Sequence, residues 1–264
     1  MNDHTSIKPH LIQSVTRSLT IIELLGYNSE GLGLVEIART VGLHKSTVYH
    51  LMATLVSQGF VRQNPQNRKY MIGPKLLTIA HLVLSNMDIR KQSESILNAL
   101  AKRSGEVVHL VVLDQGQALY LHKIENPNVS HGLKMASYVG MKNDAHSSAV
   151  GKVLLAALDE KQLATVLKTR GMARHSDKTI TSPAKLRQHL LEVRKNGFAI
   201  DDEENELGVR CVAAPVRDAQ GNVVAAISIS SPSIRVTREM IENKMIPLVK
   251  EAADDISQEL GYTK

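Results

Sequence analysis

The 264-residue sequence holds a single cysteine, Cys211, so it can form no internal disulfide, and one thiol cannot complete a zinc site by itself. No apolar run approaches the roughly 18 residues that a membrane span requires. The segment from Met1 to Ser14 has no apolar stretch behind its few charges, which speaks against a secretory leader. Long Pro, Gly or Ser tracts are missing too, and 43% hydrophobic with 22% charged residues is the composition of an ordinary soluble protein. The cytoplasm is the expected location, with no membrane partner. A phosphate-binding loop, a dinucleotide fingerprint and a His/carboxylate metal motif are all lacking, so neither cofactor nor metal is expected.

The most informative absence is local. No Asp or Glu occurs between Glu36 and Asp88, a 51-residue window in which even scattering of the 26 acids would put about five. The same window carries six cations: Arg39, Lys45, Arg62, Arg68, Lys69 and Lys75. Residues 1–75 hold eight Lys and Arg against four acids, leaving only +2 of the net +6 for the remainder. A segment free of carboxylates suits a polyanion partner, because a carboxylate beside a phosphate is repelled.

Periodicity gives that segment a shape. Leu19, Ile22, Leu24 and Leu25 predict a first helix ending near Gly26. Leu34, Ile37, Ala38 and Val41 fall on one face of a short second helix, with Gly42 at its exit. Val48, Leu51, Met52, Leu55 and Val56 mark a third, closed by Gly59, whose other face offers Lys45, Ser46, Thr47, Tyr49, His50 and Thr54. Two short helices joined by a Gly-containing turn, the second basic at its start, predict a helix-turn-helix. Then the period changes: residues 60–63, a turn over 64–67 and residues 68–72 predict a hairpin bearing Arg62, Arg68 and Lys69. A basic hairpin behind a recognition helix is a wing, placed to reach phosphates or a minor groove.

Two stretches here, residues 14–19 (Ser-Val-Thr-Arg-Ser-Leu) and 42–51 (Gly-Leu-His-Lys-Ser-Thr-Val-Tyr-His-Leu), resemble the N-terminal domain of the IclR family of transcriptional regulators. The resemblance implies that Arg17 contacts the DNA backbone. A solvated surface arginine is the alternative. The sequence departs from the family at His50, where Arg is usual, and at His44, often Pro.

Pro74 suits a helix start, and Leu76, Ile79, Ala80, Val83, Leu84 and Met87 form an apolar stripe that must bury against something. The resemblance implies a linker helix that helps build a homodimer, or a dimer of dimers. Packing onto the rest of its own chain is the alternative. Readers of palindromes are commonly dimers. A further helix with Ile96, Leu97 and Leu100 stops at Gly105.

Beyond it, residues 107–113 and 118–124 around the turn 114–117 predict a hairpin, with a third strand expected over 133–138. Helical patterns cover 148–158, 160–168 and 183–196; strands return over 210–216 and 223–230; a long helix over about 237–260 closes the chain. The expected class is α+β: a winged helix-turn-helix domain over 1–73, a linker helix over 74–90, and an antiparallel sheet with helices over 91–264.

Residues 146–156 and 202–216, continued by 226–230, are similar to the effector-domain signatures of the same family, so the likeness spans roughly 14 to 262. It implies a GAF-like domain whose effector contacts are Met135 (an apolar wall), Ala149, Val150, Asp201, Cys211, Ser228 and Ser230. Where some relatives have Gly, Ala149 adds a methyl, and Val150 narrows the site further. Physically, free N–H groups at the start of the helix over 148–158 favour a carboxylate. Ser228 and Ser230, two apart on one strand, share a face that lines either a pocket or solvent. Residues 178–183 and 122–124 look most like the family's sugar-acid (ketodeoxygluconate-type) repressors, with an aromatic or short keto acid as alternatives. The function expected is a ligand-responsive regulator that binds double-stranded DNA at a palindromic operator, most simply a catabolic repressor released by a small organic acid; an activator is the alternative. An enzyme using Cys211 with His146 or His109 is disfavoured, because a mid-strand thiol in an apolar run is quietened. The run Asp201 to Glu204 lacks the spacing of a calcium loop and reads as a solvated loop with one inward carboxylate.

Overall fold

The computed structural model describes residues 11–85, 87–125 and 136–263. The chain divides after Asn86 into two compact units, Met1–Asn86 and Met87–Lys264.

The first unit contains α1 (Gln13–Gly26), α2 (Leu34–Thr40), α3 (Lys45–Ser57), the antiparallel pair β1 (Val61–Gln63) and β2 (Tyr70–Ile72), and α4 (Lys75–Ser85). Its core is Ile21, Leu25, Ile37, Val48, Met52, Leu55, Val61 and Tyr70, one apolar face from each element. Leu19, expected on the buried stripe of α1, is instead half exposed; Ile21 and Leu25, four apart, are the pair that packs. Leu32 bridges to Tyr70 and lends the hairpin a short third edge. Gly73 is obligatory: a Cβ there would lie 2.2 Å from the carbonyl oxygen of Gly59. On α4, Leu77, Leu82 and Val83 are all more than half exposed.

The second unit is a six-stranded antiparallel sheet in the order β5-β4-β3-β8-β7-β6. Its strands are β3 (Val107–Asp114), β4 (Gln117–Ile124), β5 (Lys142–Asp144), β6 (Ala199–Asp202), β7 (Val209–Arg217) and β8 (Val223–Pro232). One sheet face, with Val108, Leu110, Val212, Ile227 and Ile229, packs under α5 (Asp88–Ser104) and the C-terminal helix. The opposite face, with Val111, Ala118, Ala213 and Ala226, packs under α6 (Ala149–Ala156) and α8 (Pro183–Asn196), with α7 (Glu160–Arg170) beside them. The two cores follow from strand periodicity, since alternate residues point to opposite faces.

Three expectations change. The third strand is β5, not 133–138: residues 136–138 carry no strand, and 133–135 lie outside the described residues. The short edge strand β6 was not foreseen. The closing helix is interrupted, running as α9 (Arg238–Met240), a π-helical turn over Ile241–Met245 and α10 (Ile246–Glu259). Pro247, lacking an N–H, sits in the first turn of α10, where that donor is not needed.

Candidate effector pocket and nucleic-acid interface

On the first unit, α3 opens at His44 without a side-chain cap, so its first N–H groups are left for another acceptor. Lys45, Ser46, Tyr49 and His50 are exposed and Thr47 half buried. The Tyr49 and His50 rings meet edge-on at 5.7 Å. In the hairpin, Arg62 and Arg68 are exposed and Lys69 half buried. Arg68 occupies the left-handed region at φ 59°, a conformation costing about 1 kcal/mol for a side chain with Cβ. Tip bonds hold it there: Gln63 Nε2 donates to the Arg68 carbonyl at 2.9 Å, and the Arg68 N–H to that of Asn64 at 2.9 Å. Among the described residues none of Arg17, Lys45, Arg62, Arg68 and Lys69 forms an ion pair. Arg17, on α1, is half buried. The missing carboxylates therefore leave these cations without internal partners.

On the second unit, residues of all six strands of the sheet converge beneath the start of α6. The cavity there holds about 30 Å³ and is lined by Ala149, Val150, Asp201, Cys211, Ser228 and Ser230, together with His109, Tyr120, Ser137, Met141, Asn143, Ser148, Asn205, Glu206 and Val209. Six of the seven expected contacts are thus brought together; Met135 lies outside the described residues. Such a volume accommodates one or two waters as drawn. A wider open groove of about 540 Å³ lies elsewhere, against the far end of α6.

The α6 junction is built for close approach. Gly151 sits so near Ala145 that a Cβ would meet its carbonyl oxygen at 2.3 Å. Ser148 caps the helix, accepting from Gly151 N–H at 3.3 Å. The N–H groups of Ala149 and Val150 have no acceptor among the described residues, and the helix dipole adds positive potential there.

His109 forms the floor. Its Nε2 pairs with the Ser137 hydroxyl at 2.9 Å, its Nδ1 faces the Ser228 and Ser230 hydroxyls at 3.4 Å each, and Tyr120 packs edge-on at 5.0 Å. Burial, helped by the Lys123 charge, lowers its pKa to about 3, so the imidazole stays neutral. A neutral ring has one donor and one acceptor nitrogen, so it relays a hydrogen bond between Ser137 and the β8 serines. Burial likewise pushes up the Cys211 thiol and the Tyr120 hydroxyl. A thiol so held is no nucleophile.

Asp201, 3% exposed, accepts from the Glu204 N–H at 2.7 Å and the Asn205 N–H at 3.3 Å through the same oxygen. Burial raises its pKa to about 7; nearby Glu204 pushes the same way, against those hydrogen bonds and Lys152. Behind it Lys152, fully buried, pairs with Glu204 and donates to the Ile200 carbonyl at 2.9 Å. The acidic run therefore points two carboxylates inward, not one. Asp202 and Glu203 remain at the surface, bridged by Lys178 at 3.2 and 3.1 Å.

The raised pKa has a sign. The folded state holds the Asp201 proton more tightly than the unfolded one, so its contribution to stability is full below about pH 4 and lost as pH rises through about 7. His109 works oppositely: its folded pKa is depressed, so stability is lost as pH falls from 6.5 toward 3. Comparing thermal melts of wild type and Asp201→Asn separates the two. The wild type is expected to lose stability relative to the variant between about pH 4 and 7, whereas parallel curves would contradict the assignment.

His109, Tyr120, Ser137, Asn143, Asn205 and Glu206 were not foreseen as pocket residues. For His109 a signal existed: it is the lone polar residue in the apolar run Val107 to Leu113.

The chain thus carries a cationic helix and hairpin in one unit and a polar pocket under a helix start in the other. Residues 14–65 match the IclR helix-turn-helix domain and residues 81–258 the bacterial transcriptional regulator IclR C-terminal domain. The chain belongs to the IclR family of transcriptional regulators. Among its IclR-family relatives, it is 36% identical to the HTH-type transcriptional regulator XynR of Escherichia coli, covering 96% of this chain and 98% of that protein. It is 34% identical to the HTH-type transcriptional regulator KdgR of the same organism, covering 97% and 95%. The crystal structure of the Thermotoga maritima IclR superposes with a TM-score of 0.77 at 35% identity, over 94% of this chain and 99% of that one. Like the IclR family as a whole, the chain is a DNA-binding regulator that responds to a small molecule, and not an enzyme. Among the described residues no helix is long and apolar enough to cross a membrane.

Proposed function

We propose that the chain represses a catabolic operon, binding a palindromic operator as a homodimer or dimer of dimers and releasing it when a sugar acid enters the pocket. The observation that carries this reading is that both halves of such a device occur in one chain: cations without internal partners on α3 and the hairpin, and a buried cavity with convergent donors. Lys45, Ser46, Thr47, Tyr49 and His50 read the major groove, and Arg17, Arg62, Arg68 and Lys69 hold phosphates. The effector carboxylate sits on the N–H groups of Ala149 and Val150, and its hydroxyls bond Asp201, Cys211, Ser228 and Ser230; Met135 is kept as a wall. The exposed apolar side chains of α4, Leu77, Ile79, Leu82 and Val83, support dimerisation through this helix. The 30 Å³ cavity must widen to admit a six-carbon acid, which gives occupancy a conformational consequence. The sugar-acid class rests on the XynR and KdgR relatives. All this is expected in the cytoplasm.

Gel shifts with the DNA upstream of the chain's own gene, titrated with ketodeoxygluconate, benzoate and pyruvate, test it. Retention that only ketodeoxygluconate reverses is expected. Release by benzoate or pyruvate alone reassigns the effector, and no retention at moderate salt overturns the reading.

A further inference from the structure

The far end of α6 meets a second feature that the effector pocket does not use. The open groove of about 540 Å³ runs between the C-terminal end of α6, the end of α8 and the β7–β8 turn. That volume lies inside the range of small-molecule sites. Its walls combine the apolar side chains of Leu113, Leu158, Pro215 and Val223 with the amides of Gln162 and Asn222, and among the described residues no Asp or Glu lines it. Two guanidiniums do. Arg194 donates from Nε to the Ala156 carbonyl at 2.8 Å and from a terminal nitrogen to that of Leu158 at 3.0 Å, which fixes it against the negative end of the α6 dipole. Arg217 donates to the Gly221 carbonyl at 2.8 Å. Neither forms an ion pair among the described residues, so each keeps its charge and its remaining N–H donors for another partner.

We propose that this groove is a second ligand site, taking an organic anion with an apolar body, its carboxylate between Arg194 and Arg217 and its body on the Leu158–Pro215–Val223 wall. A cation fixed in place over an apolar floor selects that chemistry, because the floor rejects a fully hydrated ion and the guanidinium fork rewards a carboxylate. A polyhydroxylated acid fits it poorly, so the site is chemically distinct from the effector pocket although both sit on α6.

Fluorescence titration with 2-naphthoate, on the full chain, tests the proposal. Wild type binds one equivalent per chain in this groove; Arg194→Gln with Arg217→Gln weakens it at least tenfold, and neutral 2-naphthamide binds at least tenfold more weakly than naphthoate. Since Arg194 also caps α6, Val224→Trp serves as a second variant: Val224 lines the groove at 37% exposure, so a bulky ring blocks it without disturbing the core. It abolishes naphthoate binding with the melting temperature unchanged. Ser228→Ala, in the effector pocket, leaves naphthoate affinity within twofold. Unaltered binding in the double arginine variant, equal binding of the amide, or loss in Ser228→Ala each overturns the proposal. So does a change of oligomeric state in Val224→Trp without naphthoate binding to wild type, which would make the groove a contact between copies.

Discussion

Replacing Lys45 and Arg68 together by Ala is expected to lower operator affinity roughly 30-fold at 0.15 M salt, and to flatten the log–log salt dependence by about 1.8 for a dimer, one Arg68–phosphate contact being lost from each protomer. Each neutralised phosphate contributes about 0.9 to that slope through released counterions, and the loss per contact grows as salt is lowered. Both side chains are exposed and neither has an ionic partner among the described residues, so their removal leaves the core Ile21–Val48–Met52 intact. The variant should therefore melt with the wild type while its binding isotherm shifts. An unchanged salt slope would mean that Arg68 on the hairpin does not touch a phosphate.

Glu204→Gln is expected to be the most destabilising single change in the effector unit. Lys152 is fully buried, and among the described residues Glu204 is the one carboxylate paired with it; the Ile200 carbonyl is a neutral acceptor. Stripping the partner leaves a buried charge uncompensated, which costs about 3–5 kcal/mol. For a unit of this size that corresponds to a drop of about 10 °C in the melting temperature. The pair is not an efficient stabiliser, since Glu204 Oε2 is buried without a hydrogen-bond partner among the described residues. Lys152→Met with Glu204→Leu should accordingly recover most of the loss, because a packed apolar pair avoids the desolvation of two ions. The pair's service is positional: the Glu204 N–H bonds Asp201, and its carbonyl accepts from the Thr179 hydroxyl at 2.6 Å. Effector response should fall in the double variant even where stability returns. A single variant melting with the wild type would refute this account of the turn.

Why some of this could be read from the chain and some could not is a matter of range. The α3 stripe Val48–Met52–Leu55 repeats within one helix, and the mixed polarity of its other face is local as well, so periodicity sufficed. The strands β3, β7 and β8 are long enough for their apolar content to stand out. By contrast, β6 is four residues, half of them Asp, and its strand character comes from pairing with β7 across Asp201–Cys211 and Ile200–Val212. Lys152 is the one charged residue of the otherwise apolar α6; its partner lies 52 positions away, and no spacing rule links them. The same holds for His109, whose neighbours Ser228 and Ser230 come from the other end of the domain by the β3–β8 register. The pocket's β8 serines were legible as a pair, but which face they lined was decided by the sheet's cover of α6 and α8.

The central claim is that occupancy of the pocket under α6 controls grip on DNA by a separate cationic unit. Operator retention measured against rising ketodeoxygluconate, in wild type and in Ser228→Ala, tests it most directly. Loss of one pocket hydroxyl should move the release midpoint at least tenfold to higher acid while the operator dissociation constant without acid stays within twofold. A Ser228→Ala protein that lets go of DNA at the wild-type concentration would contradict it.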